Sequence, residues 1–180
     1  MSSLRGQLLI AGPSLVDPNF WRTVVLVGEH SDEGALGVVL NRPSETPVDE
    51  AVPQLADLAD GMGAVHVGGP VQSSAVVVLA DFENPEEAGS LVVDSIGFLS
   101  TEVDPESLGE LRRARVYVGY AGWGPGQLDG ELEEGSWIVE PALAEDVFTS
   151  DPDGLWSNVL RRKGGPFSVL ASMPPDPSLT

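Results

Sequence analysis

Residues 7–43 read QLLIAGPSLVDPNFWRTVVLVGEHSDEGALGVVLNRP. Three apolar runs of strand length, QLLIAG, TVVLVGEH and ALGVVLNRP, alternate with PSLVDPNF and SDEG, whose Asp, Asn, Ser, Pro and Gly suit tight turns. SDEG is short enough to join the second and third runs as a hairpin. No helical crossover separates any of the three. Parallel neighbours need one, so this stretch argues against a regular doubly wound sheet.

Outward from it, VDEAVPQLADLAD spaces Ala51, Val52, Leu55, Leu58 and Ala59 at helical intervals, with Gly61 beyond the end. Pro53 is tolerated only in a first turn, which places the start near Val52. AVHVGGPV, AVVVLAD, SLVVD and GFLS are further strand-length segments. DPESLGELRRA predicts a helix with Asp104 as N-cap, Pro105 in the first position, and Leu108 and Leu111 on one face. RVYVGYAG then predicts a strand, QLDGELEEG a helical segment stopping at Gly135, SWIVEP a strand, and PALAEDVF a helix opened by its proline. DGLWSNVLRR carries the apolar stripe Leu155, Trp156, Val159 and Leu160. One more short helix fits PFSVLASMPPDPSLT before a frayed tail from about residue 174. Strands dominate early and helices interleave late, so the expected class is α+β, a sheet with helices packed around it in one domain over residues 1–180.

Composition narrows the function. The chain has no cysteine, which removes thiol nucleophiles and sulfur-ligated metal sites. Its formal net charge of −19, from 28 acids and nine bases, repels phosphate backbones and makes nucleic acid an unlikely partner. Two basic clusters, Arg112, Arg113 and Arg115, and Arg161, Arg162 and Lys163, could still form a patch. Their simpler reading is as cations near helix C-termini. With no membrane-length apolar run and no signal-peptide pattern at MSSLRGQLLIAG, a cytoplasmic protein is expected.

The motifs GQLLIAGPSLVDPNFWRTVVLV, GALGVVLNRP, HVGGPV, GYAGWGPGQLDGEL followed by GSW, and LWSNVLRR resemble the bacterial YqgE/AlgH family over nearly the whole chain. The resemblance implies a compact α+β domain with a mixed, bent or bifurcated β-sheet, partly barrel-like, surrounded by helices. It also implies the description of a transcriptional regulator, through a genetic link to alginate control. It supplies no established catalytic or binding residue to place on this sequence.

The residues themselves offer few chemical sites. GYAGWGPG, at 119–126, looks like a phosphate loop but lacks the Lys and the Ser or Thr of a Walker motif. Its glycines 122, 124 and 126 miss the dinucleotide spacing, Pro125 removes an amide donor, and Asp129, Glu131, Glu133 and Glu134 follow. Tight packing under Trp123 is the better reading. His30 and His66 are the only histidines. His66 lies in a strand as a packed or edge residue, and His30 ends a strand in a solvated turn, where Ser31, Ser73 or Ser74 would need tertiary help to become nucleophiles. Glu29, His30, Asp32 and Glu33 are too close in sequence to converge readily on a metal, and DPDG at 151–154 suits a turn and cap. Arg42, held extended before Pro43, either pairs with a group from another segment or hooks an anion beside Asn41. Asp17 and Asn19 set a turn.

The ligand-binding candidates are therefore Asn41, Arg42, Gly68, Gly69, Gly122, Trp123 and Gly124, with no catalytic residue, metal or cofactor. Trp21, Trp123, Trp137 and Trp156 read as core unless they cluster on the surface. The expected function is a non-catalytic regulatory or adaptor domain binding a protein partner or small ligand. The alternatives are a hydrolase or transferase with its site where LNRP, GGPV and the glycine loop meet, and a DNA-binding regulator, which the charge disfavours.

Overall fold

The computed structural model describes residues 3–13, 15, 20–55, 63–99 and 111–172. Strands β1 (Gln7–Ala11), β2 (Val24–Ser31) and β3 (Gly34–Val39) pair antiparallel in order, and Ser31 faces Gly34 across the expected hairpin. β1 after Gln7 and β2 up to Val27 are apolar without interruption because both faces are buried there. Leu8, Ile10, Val24 and Leu26 enter one core, whereas Leu9, Ala11, Val25 and Val27 enter another on the opposite face. Each face keeps the period of two, but two buried faces erase the polar alternation.

The chain continues through β4 (Pro43–Pro47), β5 (Ala64–Val67), β6 (Val71–Phe82), β7 (Ser90–Val93), β8 (Ile96–Phe98), β9 (Leu111–Trp123) and β10 (Trp137–Pro141). Ten strands are described, in the order β10-β1-β2-β3-β9-β6-β8-β7, with β5 branching from β9 and β4 from β5. One edge of β9 pairs parallel with β5 at Tyr117 and Val118, then antiparallel with β3 from Ala121 to Trp123, while the other edge pairs with β6. The sheet is therefore mixed and forked, as the resemblance implies, and its path is open.

At the fork three glycines interlock. A Cβ on Gly68 would lie 2.4 Å from the Gly119 oxygen, one on Gly119 2.3 Å from the Gly69 oxygen, and one on Gly69 2.2 Å from the Tyr120 backbone. Gly69 and Gly119 also hold φ of 151° and 74°, which disfavour a side chain.

Helices close the faces. α1 (Val48–Ala51) covers a core with Val78, Ala80, Phe82, Ala114 and Val116; α2 (Gln127–Glu133) sends Leu128 into the core of Leu9 and Val25. α3 (Ala144–Val147), α4 (Leu155–Lys163) and α5 (Pro166–Ala171) pack on the remaining core, and the stripe Leu155, Trp156, Val159 and Leu160 is buried as its spacing predicts. Each fully buried aliphatic side chain of this kind contributes about 1.5–3 kcal/mol.

Three expectations need correction. The helix near Val52 instead spans Val48–Ala51 and ends at Val52, held at φ −139°, ψ 71° before Pro53, and a 3-10 turn follows at Pro53–Leu55. Leu111 is the first residue of strand β9 rather than a helical position, because its pairing with Phe82 extends the sheet. Pro141 stays in β10, and α3 opens later, where the Leu143 N–H donates to Asp146 Oδ2 at 2.8 Å. Leu58, Ala59, Gly61, Asp104, Pro105, Leu108 and the tail from 173 lie outside the described residues, as do Asp17 and Asn19.

The outermost strands are blunted. Lys163 Nζ and Arg162 Nη2 donate to the Val139 and Pro141 oxygens of β10, Arg5 Nη2 donates to the Leu91 oxygen of β7, and prolines stand at both ends of β4. These devices discourage pairing with a second chain.

Substituting Gly69 by Ala should lower stability by more than about 3 kcal/mol or prevent folding, since the added carbon meets backbone. Gly130→Ala in α2, with nothing within 4 Å of the new carbon, should raise it by about 0.5–1 kcal/mol. Urea denaturation of both variants checks the pair.

Candidate ligand-binding groove

The expected site residues fall into two groups. Asn41 Oδ1 accepts the Val24 N–H and Asn41 Nδ2 donates to the Arg22 oxygen, both at 3.0 Å, while Arg42 Nη2 donates to the Trp21 oxygen at 2.9 Å. Both side chains thus lock the entry to β2, and burial pulls the Arg42 and Arg22 pKa below the ordinary arginine value. LNRP does meet GGPV, through Val67 N–H to the Arg42 oxygen and Val39 N–H to the Gly68 oxygen, each at 2.8 Å. Gly122 and Trp123, however, face Leu36 and Ala35 toward the other end of β3. At about 3.3 Å per residue, some 15–20 Å of strand separates them from Asn41 and Arg42, whereas GGPV reaches the start of the glycine loop: Gly69 lies against the Tyr120 backbone, and a Cβ on Gly122 would meet a Val71 methyl at 3.6 Å.

The glycine loop is an internal joint. Trp123 Nε1 and Trp137 Nε1 both donate to Glu131 Oε1, at 3.1 and 2.9 Å, and Gln127 Nε2 donates to Glu131 Oε2 at 3.0 Å. The Gly124 amide donates to Gln127 Oε1 at 3.0 Å, so the loop spends this donor internally. The indoles meet edge-on at 6.0 Å, and Phe20 packs edge-on against Trp137 at 5.7 Å. The sequence reading places packing under Trp123 but misses Glu131. The signal was a lone carboxylate between two tryptophans, hidden among three other acids. Trp156 is also core, donating to the Ala11 oxygen at 2.9 Å beneath the Arg22 guanidinium, 4.2 Å from its ring.

Neither histidine matches a solvated base. His30, read as exposed, has a side chain only 3% accessible: its Nδ1 accepts the Leu4 N–H at 3.0 Å and its Nε2 lies 3.5 Å from Asp129 Oδ1. The N-terminal segment folds over it, a contact 26 positions away that local pattern cannot show. His66 is buried, donates from Nδ1 to the Ala64 oxygen at 3.1 Å, and stands 5.6 Å from the Tyr117 ring. Burial, aided by the Arg115 guanidinium, pushes its pKa down to about 4.

The basic clusters are spent on structure. Arg112, Arg113 and Arg115 lie on β9, not at a helix end. Arg112 and Arg113 share Asp81, and Arg115 donates to the Val147 and Thr149 oxygens after α3. Burial opposes ionisation of Asp81, but the Ser95 hydroxyl and the two guanidiniums outweigh it and hold its carboxyl below the usual carboxylate range. Arg162 grips Asp146, and both Arg162 and Lys163 approach Glu140 in the last turn of α4.

A groove opens where the sheet curls so that β7 and β8 approach β2 and β3. A bulge between Val27 and Glu29 breaks the β2 register, and Gly28 there admits the Phe98 ring, which a Cβ would meet at 2.5 Å. Leu36, Val38, Val77, Phe98 and Tyr120, with Glu29 and Ser90, line a mainly apolar cavity of about 240 Å³. A polar pocket of about 510 Å³ adjoins it, walled by Ser3, Arg5, Glu29, His30, Ser31 and Glu33, with Trp123. Glu29 and Leu36 belong to both. Among the sequence candidates Trp123 lines the polar pocket, and a Cβ added to Gly122 would lie 3.7 Å from a Leu36 methyl. Asn41, Arg42, Gly68 and Gly69 line neither. Among the described residues no three acids or histidines are grouped to hold a metal ion, and no helix is long and apolar enough to cross a membrane.

Fold and groove together define an α+β domain with a forked sheet and a ligand-sized cleft. The AlgH-like family model matches residues 8–168, and the chain belongs to that family. It is 45% identical to a UPF0301 protein of Streptomyces coelicolor, covering 99% of this chain and 96% of that protein, and 43% identical to one of Thermobifida fusca, covering 98% and 96%. A crystal structure from Corynebacterium diphtheriae superposes with a TM-score of 0.85 at 29% identity, over 96% of this chain and 93% of the other. The solution structure of AlgH from Pseudomonas aeruginosa superposes with a TM-score of 0.72 at 31% identity, over 96% and 95%.

Two outcomes follow from this geometry. Glu131→Ala strands two largely buried indole N–H groups and should cost about 2–4 kcal/mol, with a red shift in tryptophan emission. Because the folded pKa of His66 is depressed, the unfolded chain binds a proton that the fold refuses as pH falls from 6.5 toward about 4. Stability should be full above that window, drop by roughly 3 kcal/mol across it, and level off below. His66→Gln should flatten this segment of a urea-stability curve, while the Asp81 contribution is lost only below its ordinary value of 3.8.

Proposed function

We propose that this chain is a non-catalytic binding domain whose groove between the β2–β3 hairpin and β7–β8 takes a small ligand, in keeping with a regulatory role. The observation that carries the reading is the junction of an apolar recess with a polar pocket through Glu29 and Leu36. Their combined size falls in the range of small-molecule sites, and the arrangement suits a molecule with an apolar body and one polar end.

The commitments of the polar groups favour binding over turnover. Both ring nitrogens of His30 face partners, and His66 is buried and held neutral. Ser3 Oγ accepts the Arg5 N–H and Ser31 Oγ accepts the Glu33 N–H, so neither pocket serine is paired with a base. A DNA-binding role gains nothing from arginines occupied by Asp81, Asp146 and backbone carbonyls.

A thermal-shift screen against a metabolite library should yield at least one compound that raises Tm, and Leu36→Glu should abolish that shift while preserving the circular-dichroism spectrum. Leu36 is 42% exposed, so the substitution spares the core. A hit whose shift survives Leu36→Glu, or turnover of a library compound, would overturn the reading.

A further inference from the structure

The walls of the polar pocket carry an electrostatic preference. Glu29 and Glu33 are exposed, and among the described residues neither carboxylate accepts a hydrogen bond or faces a cation within 4 Å. They differ in this from Asp81, Glu131, Glu140 and Asp146, each of which is held by arginine, lysine or indole donors. The opposing cation in the pocket, Arg5, is turned onto β7, where its Nη2 donates to the Ser90 hydroxyl and the Leu91 oxygen. His30 is engaged on both ring nitrogens: its Nδ1 accepts the Leu4 N–H and its Nε2 faces Asp129. The lining therefore holds two unpaired carboxylates against one engaged guanidinium, inside a protein of net charge −19.

Resting on the groove reading above, we propose that the ligand is an organic cation, with an amine or guanidinium head against Glu29 and Glu33 and an apolar body in the recess of Leu36, Val77, Phe98 and Tyr120. An anionic head would meet the field of the whole chain and the two carboxylates at short range, whereas a cation is drawn in by both. The bulge that turns Glu29 toward both cavities and the 42% exposure of Leu36 put the carboxylate and the apolar contact side by side at the same mouth. An ammonium group keeps part of its hydration there, since both carboxylates remain open to water.

Three probes of one shape separate the possibilities: 2-phenylethylamine, 2-phenylethanol and 3-phenylpropanoate, titrated into the intact chain and followed by amide chemical shifts. The amine should perturb Gly28, Gly34 and Leu36 at concentrations at least tenfold below those the alcohol requires, with the propanoate weakest. Raising salt from 50 to 500 mM should weaken the amine several-fold and leave the alcohol unchanged. The double variant Glu29→Gln, Glu33→Gln, checked for an unchanged Tm, should bring the amine down to the level of the alcohol. If the alcohol or the propanoate binds as tightly as the amine, or the double variant keeps amine affinity, the cation assignment fails while the groove reading stands. If none of the three perturbs these residues, the cation assignment fails, and the library screen with Leu36→Glu decides the groove reading separately.

Discussion

Backbone meets backbone at the fork of the sheet, and the rest of the molecule is arranged around that contact. Gly68, Gly69 and Gly119 approach so closely that no Cβ fits at any of them. This lets β9 serve β5 and β3 on one edge and β6 on the other, so one strand of 13 residues satisfies the ladders of three neighbours. With the hairpin of β2 and β3 on one side and β6, β7 and β8 on the other, the curl encloses the apolar core and leaves the groove at its mouth.

Charge is distributed with the same economy. Each of the nine bases makes an intramolecular contact: Arg5 on β7, Arg22 over Trp156, Arg42 on the Trp21 carbonyl, Arg112 and Arg113 on Asp81, Arg115 behind α3, Arg161 on Asn158, and Arg162 and Lys163 on β10 and its neighbours. The positive charge is thereby used to close sheet edges and helix ends. Among the described residues the unpaired surface charge is left chiefly acidic, and the cation preference proposed for the groove rests on that surplus.

The tryptophans show how a motif can mislead about chemistry and still report structure. Glycines around Trp123 suggest an anion cradle, but the loop is a hinge that brings two indole N–H groups onto Glu131. A phosphate would find that carboxylate already occupying the space between the donors. GYAGWGPG and the later GSW are joined through one side chain, that of Glu131.

The sequence by itself determined the strand-dominated α+β class, the hairpin over SDEG, the buried stripe of α4, the family and the acidic field. These depend on composition, on spacing within one element, or on motifs that stay intact when read linearly. It blurred where proline meets helix or strand, at Val52 and Pro141, because local propensity there competes with pairing partners far along the chain. Only the tertiary structure decided that Leu111 to Ala114 join the sheet, that His30 is covered by Leu4, that Arg42 faces a carbonyl, and that the groove lies at Glu29 and Leu36 rather than at LNRP. Each of those facts is a contact between residues distant in sequence, and the free energy that selects it comes from burying surfaces that no single segment contains.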